Sequence, residues 1–163
     1  MPHVAHLRSL ADTGGVDGVA QHRVVAHRRV RAVYPGSFDP FTAGHLNVVD
    51  RARHLFDEVV VLVAVNGAKH PRADAEERAA AVRAVLPADW TTVTVVAWSG
   101  VTAAWCRHHE VGVIVRGVRN TSDLQTESRL AAMNQSLGVP TVFLPAHPDL
   151  AAVSSTAARS RGA

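Results

Sequence analysis

The sequence has little of what marks secreted, membrane-bound or disulfide-stabilised proteins. Cys106 is its only cysteine, so an intrachain disulfide cannot form, and its helical context favours a packed thiol over a catalytic one. No apolar stretch approaches the roughly 18 residues of a membrane span. The N-terminal region has no apolar segment typical of a secretory signal. We therefore expect a cytoplasmic protein that has no membrane partner.

Excess positive charge is also scarce outside one segment. The formal net charge of +3 and the pI near 10.0 reflect residues 1–31, which hold five arginines and two aspartates. The rest of the chain holds twelve basic and twelve acidic residues and no reader motif for nucleic acid, so we expect no nucleic-acid partner. We interpret residues 1–28 as a disordered basic extension, or as the product of a translation start placed too far upstream. Residues 29–163 are then one domain.

Two common nucleotide-binding fingerprints, G-x-G-x-x-G and G-x-x-x-x-G-K-[ST], are absent as well, which argues against redox dinucleotides and P-loop chemistry. What the chain does contain is an alternation of short apolar runs and helical patterns. This alternation predicts an α/β fold, a Rossmann-like doubly wound sheet of about five parallel strands with helices on both faces. The predicted strands are 30–34, 58–65, 91–97, 111–115 and 141–144, and the predicted helices are 44–56, 74–86, 99–109 and 122–137.

Two of these helices have recognisable starts, and one further helical segment is predicted near the end of the chain. Asp74 with Glu77, and Ser122 with Gln125, have the spacing of capping boxes. Residues 154–161 are expected to form one or two helical turns.

The segment between the first strand and the first helix reads Y-P-G-S-F-D-P-F-T-A-G-H over residues 34–45. A strand, a loop and a helix start bring backbone N–H groups and the positive helix end to one point, which suits a phosphate. Gly36 and Gly44 allow the backbone to approach a ligand closely, and Pro35 and Pro40 stiffen the loop. His45 would then project from the first helical turn towards the anion.

Three more blocks of polar residues follow later strands. They are Lys69 after the second strand, residues 116–119 (R-G-V-R) after the fourth, and residues 153–156 (V-S-S-T) after the fifth. Ligands of doubly wound sheets bind beyond the carboxyl ends of the strands. The four blocks are therefore predicted to converge on one rim.

Residues 36–45 resemble the G-[ST]-F-D-P-x-[ST]-x-G-H segment of the HxGH-type nucleotidyltransferases, and most closely that of the bacterial phosphopantetheine adenylyltransferases. Position 42 is Thr, where cytidylyltransferases and nicotinate mononucleotide enzymes usually carry a first His. The later blocks follow in this family's order, so the resemblance covers about residues 29–159. It implies a divergent, C-terminally shortened member that transfers the adenylyl group of ATP to 4′-phosphopantetheine. The products would be dephospho-coenzyme A and pyrophosphate in coenzyme A biosynthesis.

Such a reaction needs no enzyme nucleophile, because an oxygen of the acceptor phosphate attacks the α-phosphorus of ATP directly. Positioning and charge neutralisation then supply nearly all of the catalysis. The resemblance implies Mg²⁺ with ATP, held mainly by phosphates and water rather than by a cluster of protein ligands. It also implies self-association, commonly as a hexamer.

The resemblance assigns roles to individual residues. His45 would contact the α-phosphate, and Lys69 and Arg116 the acceptor phosphate, and these three would be catalytic. Ser37 and Thr102 would complete the acceptor site. The predicted ATP site comprises Ser37, Phe38, His45, Gly117, Val118, Arg119, Glu127, Val153, Ser154, Ser155 and Thr156.

Each of these assignments has a structural alternative. His45 can be a helix-start histidine satisfied by local backbone, and Lys69 a solvated surface lysine. Asp123 matches a family acid, but helix capping explains it equally well. The serine block at 153–156 can be a simple N-cap.

The sequence also departs from the family pattern. Residues 123–127 read D-L-Q-T-E where D-F-E-Y-E is usual, and Thr102 stands where Leu or Met is common. Leu150 and Ala152 replace an aromatic pair, and the chain ends at Ala163, soon after the serine block. These departures leave two alternatives open: a nucleotidyltransferase for another phosphate-bearing acceptor, and a nucleotide-binding module without turnover. The intact reacting-centre residues argue against the module.

Overall fold

A computed structural model describes residues 28–65 and 74–150, and within them the predicted parallel sheet is confirmed. The five strands lie in the order β3-β2-β1-β4-β5, and every pair is parallel. The strands are β1 (Arg31–Gly36), β2 (Glu58–Ala64), β3 (Val93–Trp98), β4 (Val113–Val118) and β5 (Thr141–Pro145). The helices are α1 (Ala43–Arg53), α2 (Ala75–Val85), α3 (Thr102–His108) and α4 (Thr121–Ser136), followed by a 3-10 turn at Pro148–Leu150.

The strand order reverses beside β1, the first strand of the chain and the middle one of the sheet. On one side β1 pairs with β2 along its whole length, and on the other it pairs with β4 through Ala32↔Val113 and Val33↔Ile114. The chain therefore leaves β1 and β4 towards opposite faces, and a crevice opens between their carboxyl ends. This crevice is where the predicted rim should bind a ligand.

The sheet is buried on both faces, as its β-branched runs predict. Residues 59–63 of β2, V-V-V-L-V, are all buried, and Leu62 is completely so. One apolar cluster joins the sheet to α1 and α2, and a second joins it to α3 and the segment before β5. Cys106 lies in the second cluster, where burial raises the pKa of its thiol to about 11, so the prediction of a packed thiol is confirmed.

One of the two predicted capping boxes is present. Glu77 N–H donates to Asp74 Oδ1 at 2.7 Å, and Asp74 N–H donates to Glu77 Oε2 at 3.3 Å. The pairing of Ser122 with Gln125 is wrong. Asn120 is the N-cap of α4 and accepts from the backbone N–H of Asp123 at 2.8 Å, so the helix starts one residue before Ser122.

Several predicted boundaries also change; among them, α1 ends at Arg53 rather than at position 56, and β1 continues to Gly36 rather than ending at position 34. α3 begins at Thr102 rather than at position 99, because Gly100 adopts φ 148°, a conformation that a helix cannot contain. β3 begins at Val93 rather than at position 91, because a turn closes there with Val93 N–H donating to Trp90 C=O. β4 continues past Val115 to Val118, because it pairs with β5 as far as Val118↔Pro145.

Several predictions fall outside the described residues. They concern the N-terminal extension (residues 1–28, of which 1–27 are outside), the loop with Lys69, the block at 153–156 and the helical turns at 154–161. In the described part of the chain, no helix combines the length and the apolar character that crossing a membrane requires.

Candidate active site

A pocket of about 590 Å³ opens at the carboxyl ends of β1 and β4. Its walls are the first loop (residues 37–42), the start of α1, the end of β4, the start of α3 and one face of α4. The pocket brings together most of the predicted site residues that the structure describes. These are Ser37, Phe38, His45, Thr102, Arg116, Gly117, Arg119 and Glu127.

Val118 is the described site residue that does not line this pocket. It ends β4, where it pairs with Pro145, and its C=O accepts from Ala146 N–H at 2.7 Å. Lys69 and the block at 153–156 lie outside the described residues, so their distance from the pocket stays a prediction.

His45 is fixed by the backbone that precedes α1. Its Nδ1 accepts from the backbone N–H of Thr42 at 3.0 Å and lies 3.2 Å from Thr42 Oγ1. An amide nitrogen can only donate, so Nδ1 carries no proton and the neutral ring holds its proton on Nε2. The structural alternative and the functional prediction are therefore compatible, because one ring nitrogen caps the helix while the other offers an N–H.

The surroundings of His45 keep it neutral. Burial is the main cause that lowers its pKa from 6.5 to about 4, and the positive charges of Arg119 and Arg116 lower it further. The ring also packs among aromatic groups, with centroids 5.1 Å from that of Phe38 and 5.5 Å from that of Phe41. At neutral pH the site therefore presents an uncharged imidazole N–H donor in the same pocket as two guanidinium groups.

Phe38 shapes the first loop rather than standing free at its tip. It is buried with φ 47°, and its ring packs edge-on against Tyr34 at 5.3 Å. An added Cβ at Gly36 would lie 2.7 Å from the Phe38 ring, so the loop can fold back on itself only because residue 36 is glycine.

Arg116 lies inside β4 and is held from two sides. Its Nε and Nη2 donate to the two carboxylate oxygens of Glu127 at 2.7 and 2.6 Å, and its Nη1 donates to Pro35 C=O at 2.6 Å. A guanidinium has five N–H groups, so two of them have no acceptor among the described residues. Arg116 therefore joins the end of β1, β4 and α4 in the pocket.

Arg119 forms a second bidentate pair, with Asp123. Its Nε and Nη2 donate to the two carboxylate oxygens at 2.6 and 3.0 Å, and its backbone N–H donates to the same carboxylate at 3.2 Å. These bonds hold the pKa of Asp123 below its usual value. Asp123 is thus not the N-cap of α4, which is Asn120, and its carboxylate instead orients a pocket arginine.

The sequence analysis missed several residues that line the pocket. Leu130, Met133 and Asn134 continue the α4 face that begins with Asp123 and Glu127. Residues three and four positions apart lie on the same face of a helix, so this spacing indicates that they share the pocket side of α4. Tyr34 also lines the pocket, and burial raises the pKa of its phenol, so the hydroxyl stays protonated.

Comparison with known proteins places this arrangement among transferases. The model of the cytidylyltransferase-like family matches residues 33–161. The chain is 46% identical to the phosphopantetheine adenylyltransferase of Paenarthrobacter aurescens over 127 residues, which are 77% of this chain and 76% of that protein. It is 42% identical to the phosphopantetheine adenylyltransferase of Streptomyces coelicolor, over 77% of this chain and 79% of that one.

Solved structures share the fold at lower identity. A lipopolysaccharide core biosynthesis protein from Thermoplasma volcanium superposes with a TM-score of 0.53 at 22% identity, covering 74% of this chain and 98% of that one. A bifunctional NMN adenylyltransferase/ADP ribose pyrophosphatase from Francisella tularensis gives a TM-score of 0.56 at 16% identity, covering 82% and 41%. At these identities the likeness concerns the fold alone.

Proposed function

Because this chain belongs to the phosphopantetheine adenylyltransferases of the cytidylyltransferase-like family, we propose that its pocket transfers the adenylyl group of ATP to 4′-phosphopantetheine. The products are dephospho-coenzyme A and pyrophosphate. The observation that carries the proposal is the placement of a neutral His45 N–H donor beside Arg116 and Arg119 in one pocket.

The chemistry follows from charge. An oxygen of the acceptor phosphate attacks the α-phosphorus of ATP in line, the bond from that phosphorus to the β-phosphate oxygen breaks, and pyrophosphate leaves. No proton needs to be removed from the acceptor, because a phosphate oxygen is already anionic. The protein has to align the acceptor phosphate, the α-phosphate and the leaving pyrophosphate, and to stabilise the charge that builds up on the α-phosphate.

His45 is suited to the α-phosphate. Its Nδ1 is occupied by Thr42 N–H, so the ring orientation is set before any ligand binds. An Nε2–H donor that is already aimed can strengthen its bond as charge develops, without reorganisation. A neutral ring also avoids a third positive charge beside the two arginines.

Arg116 is assigned to the acceptor phosphate, together with Ser37, Thr102 and Lys69. Glu127 holds one edge of the Arg116 guanidinium, which leaves the two remaining N–H groups for a phosphate. Arg119, Gly117, Phe38 and the block at 153–156 are assigned to ATP.

Mg²⁺ would enter as the counterion of the ATP phosphates. Both carboxylates of the pocket, Asp123 and Glu127, bond to arginines, and the described residues contain no cluster of three or more His, Cys, Asp or Glu that could hold a metal ion. Phosphate oxygens and water suit Mg²⁺, so the chain is compatible with such binding. The proposal also includes a cytoplasmic location and self-association.

The deciding experiment measures pyrophosphate release by the full chain with ATP, Mg²⁺ and 4′-phosphopantetheine. Turnover that requires all three supports the proposal, and pantetheine without its phosphate serves as the matched control. ATP binding without turnover would contradict the proposed reaction. Faster turnover with another phosphate-bearing acceptor would contradict the assigned substrate.

A further inference from the structure

We propose that Arg78, which does not line the pocket, is a positioning residue that fixes the first loop for acceptor binding. This inference rests on the proposed function. Arg78 is the one buried charged side chain in the described part of the chain, with 4% of its surface exposed. It lies on α2, behind the carboxyl ends of β1 and β2.

The guanidinium of Arg78 binds carbonyl oxygens from three segments. Its Nη1 donates to Ser37 C=O in the first loop and lies 3.5 Å from Ala64 C=O at the end of β2. Its Nε donates to Asp74 C=O at the start of α2, at 3.1 Å. Ser37 and Ala64 both line the pocket, so one buried cation ties two of its lining segments to the helix behind them.

The bond to Ser37 has a directional consequence. The peptide bond between Ser37 and Phe38 is trans, since the described residues contain a single cis bond, at Asp39–Pro40. In a trans peptide the C=O and the next N–H point in opposite directions. Holding Ser37 C=O towards Arg78 therefore turns the N–H of Phe38, a pocket-lining residue, away from Arg78.

A second arginine holds the end of β1, on the other side of Gly36 from the first loop. Arg116 donates to Pro35 C=O, and Arg78 donates to Ser37 C=O. Gly36 itself cannot stiffen the chain, because it lacks a side chain. The two guanidinium groups do so instead, one from β4 inside the pocket and one from α2 behind it.

This arrangement predicts a selective defect. Ser37 of the first loop is assigned to the acceptor phosphate, whereas of the assigned ATP site only Ser37 and Phe38 lie in this loop and the other residues belong to other segments. Loss of the Arg78 bonds should therefore weaken acceptor binding more than ATP binding. A merely structural residue would instead lower the fraction of folded enzyme, which reduces kcat and leaves both KM values unchanged.

The test compares Arg78→Met and Arg78→Lys with the wild type in the full chain. We expect Arg78→Met to raise the KM for 4′-phosphopantetheine at least tenfold and the KM for ATP less than twofold. Arg78→Lys retains the buried charge but not the fork of donors, so we expect an intermediate acceptor KM. If Arg78→Met does not fold, the acceptor KM of Arg78→Lys alone tests the positioning role.

Arg83→Met is the matched control. Arg83 lies on the same helix but is exposed, and it pairs with Glu76 at 2.8 Å. Both of its KM values should stay within twofold of the wild type. An acceptor KM within twofold of the wild type in the folded Arg78 variants, or an equal rise for both substrates, would overturn the inference.

Calorimetric binding of 4′-phosphopantetheine separates this inference from the proposed function. A wild type that binds the acceptor without releasing pyrophosphate would contradict the reaction. The dissociation constants of the Arg78 variants would then still decide the positioning role, with the same tenfold criterion.

Discussion

The two walls of the pocket are built by different physical means. The α1 wall, formed by β1, the first loop and α1, rests on a close-packed core in which Val48, Val49 and Ala52 are buried. The α4 wall is the longest helix described, yet none of its residues is buried. On the pocket side two bidentate ion pairs hold it: Arg116–Glu127 joins it to β4, and Arg119–Asp123 joins its first turn to the residue after β4.

This contrast indicates how the pocket divides its tasks. A packed wall keeps His45 at a fixed position, which in-line transfer requires. A wall held by ion pairs keeps its guanidinium groups oriented and leaves other N–H groups of the same arginines for a phosphate. The arginines are thus pre-aligned by Glu127 and Asp123, and they face the space where the ligand phosphates are proposed to lie.

The strongest test of the contrast compares one leucine from the core with one from α4. We expect Leu62→Ala to lower the free energy of unfolding by about 4 kcal/mol, because the completely buried site leaves a cavity. Leu124→Ala, at a position that is 41% exposed, should cost less than about 0.5 kcal/mol. Urea denaturation measures both, and similar losses would show that α4 is packed as tightly as the sheet.

Replacement of His45 tests the function of the packed wall. We expect His45→Ala to reduce kcat by about 10²–10³-fold, or roughly 3–4 kcal/mol, because a donor to developing charge is lost. His45→Asn can still cap α1 and serves as the control for stability. An Ala variant with wild-type kcat would refute the assignment of His45 to the α-phosphate.

Acid should destabilise the protein through the same histidine. The pKa of His45 is about 4 in the folded state and 6.5 when unperturbed, so the unfolded chain binds the proton first as pH falls. The free energy of unfolding is unaffected by this group above pH 6.5 and falls as the pH drops towards 4. By the linkage relation, the loss at pH 5 is about 2 kcal/mol. Denaturation curves at pH 5 and pH 8 should differ by this amount more in the wild type than in His45→Asn. An equal pH dependence in the wild type and in His45→Asn would show that His45 is not the group responsible.

The smallest effect is expected at the α4 wall. Glu127→Gln keeps the shape of the side chain but removes the charge that faces Arg116. We expect the free energy of unfolding, measured by urea denaturation at low salt, to fall by about 1 kcal/mol. The difference from the wild type should shrink in 1 M NaCl, because the Debye length falls to about 3 Å. A loss that is independent of salt would mean that packing, rather than charge, holds this wall.

The sequence predicts the packed half of the molecule better than the ionic half. The β-branched run of β2 can hardly form anything other than a buried strand, and Asp74 with Glu77 is an unambiguous helix start. Near α4 both Asn120 and Ser122 are good capping residues, and local spacing alone favoured the wrong one. The end of β4 depends on its pairing with β5, a contact that local pattern does not contain.

The site shows the same division. Convergence of His45, Arg116 and Arg119 follows from strand order, because the blocks sit where parallel strands end. The carboxylate partners of the arginines depend on the rotation of α4, which spacing only suggests. The burial of Arg78 could not be predicted, since it stands among Glu and Ala in a segment that reads as an exposed helix surface.

Labelling of Cys106 can be used to measure how often the core beside α3 becomes exposed. It is the single thiol of the chain, it is fully buried between α3 and the sheet, and its pKa is raised to about 11. The thiolate, which is the form that attacks such reagents, is therefore scarce as well as shielded. A maleimide or disulfide reagent has one thiol to label, and each labelled molecule records an event that exposed Cys106. The rate of labelling, followed by mass spectrometry, therefore measures how often the face of the sheet opposite α1 and α2 becomes accessible, and no engineered probe is needed.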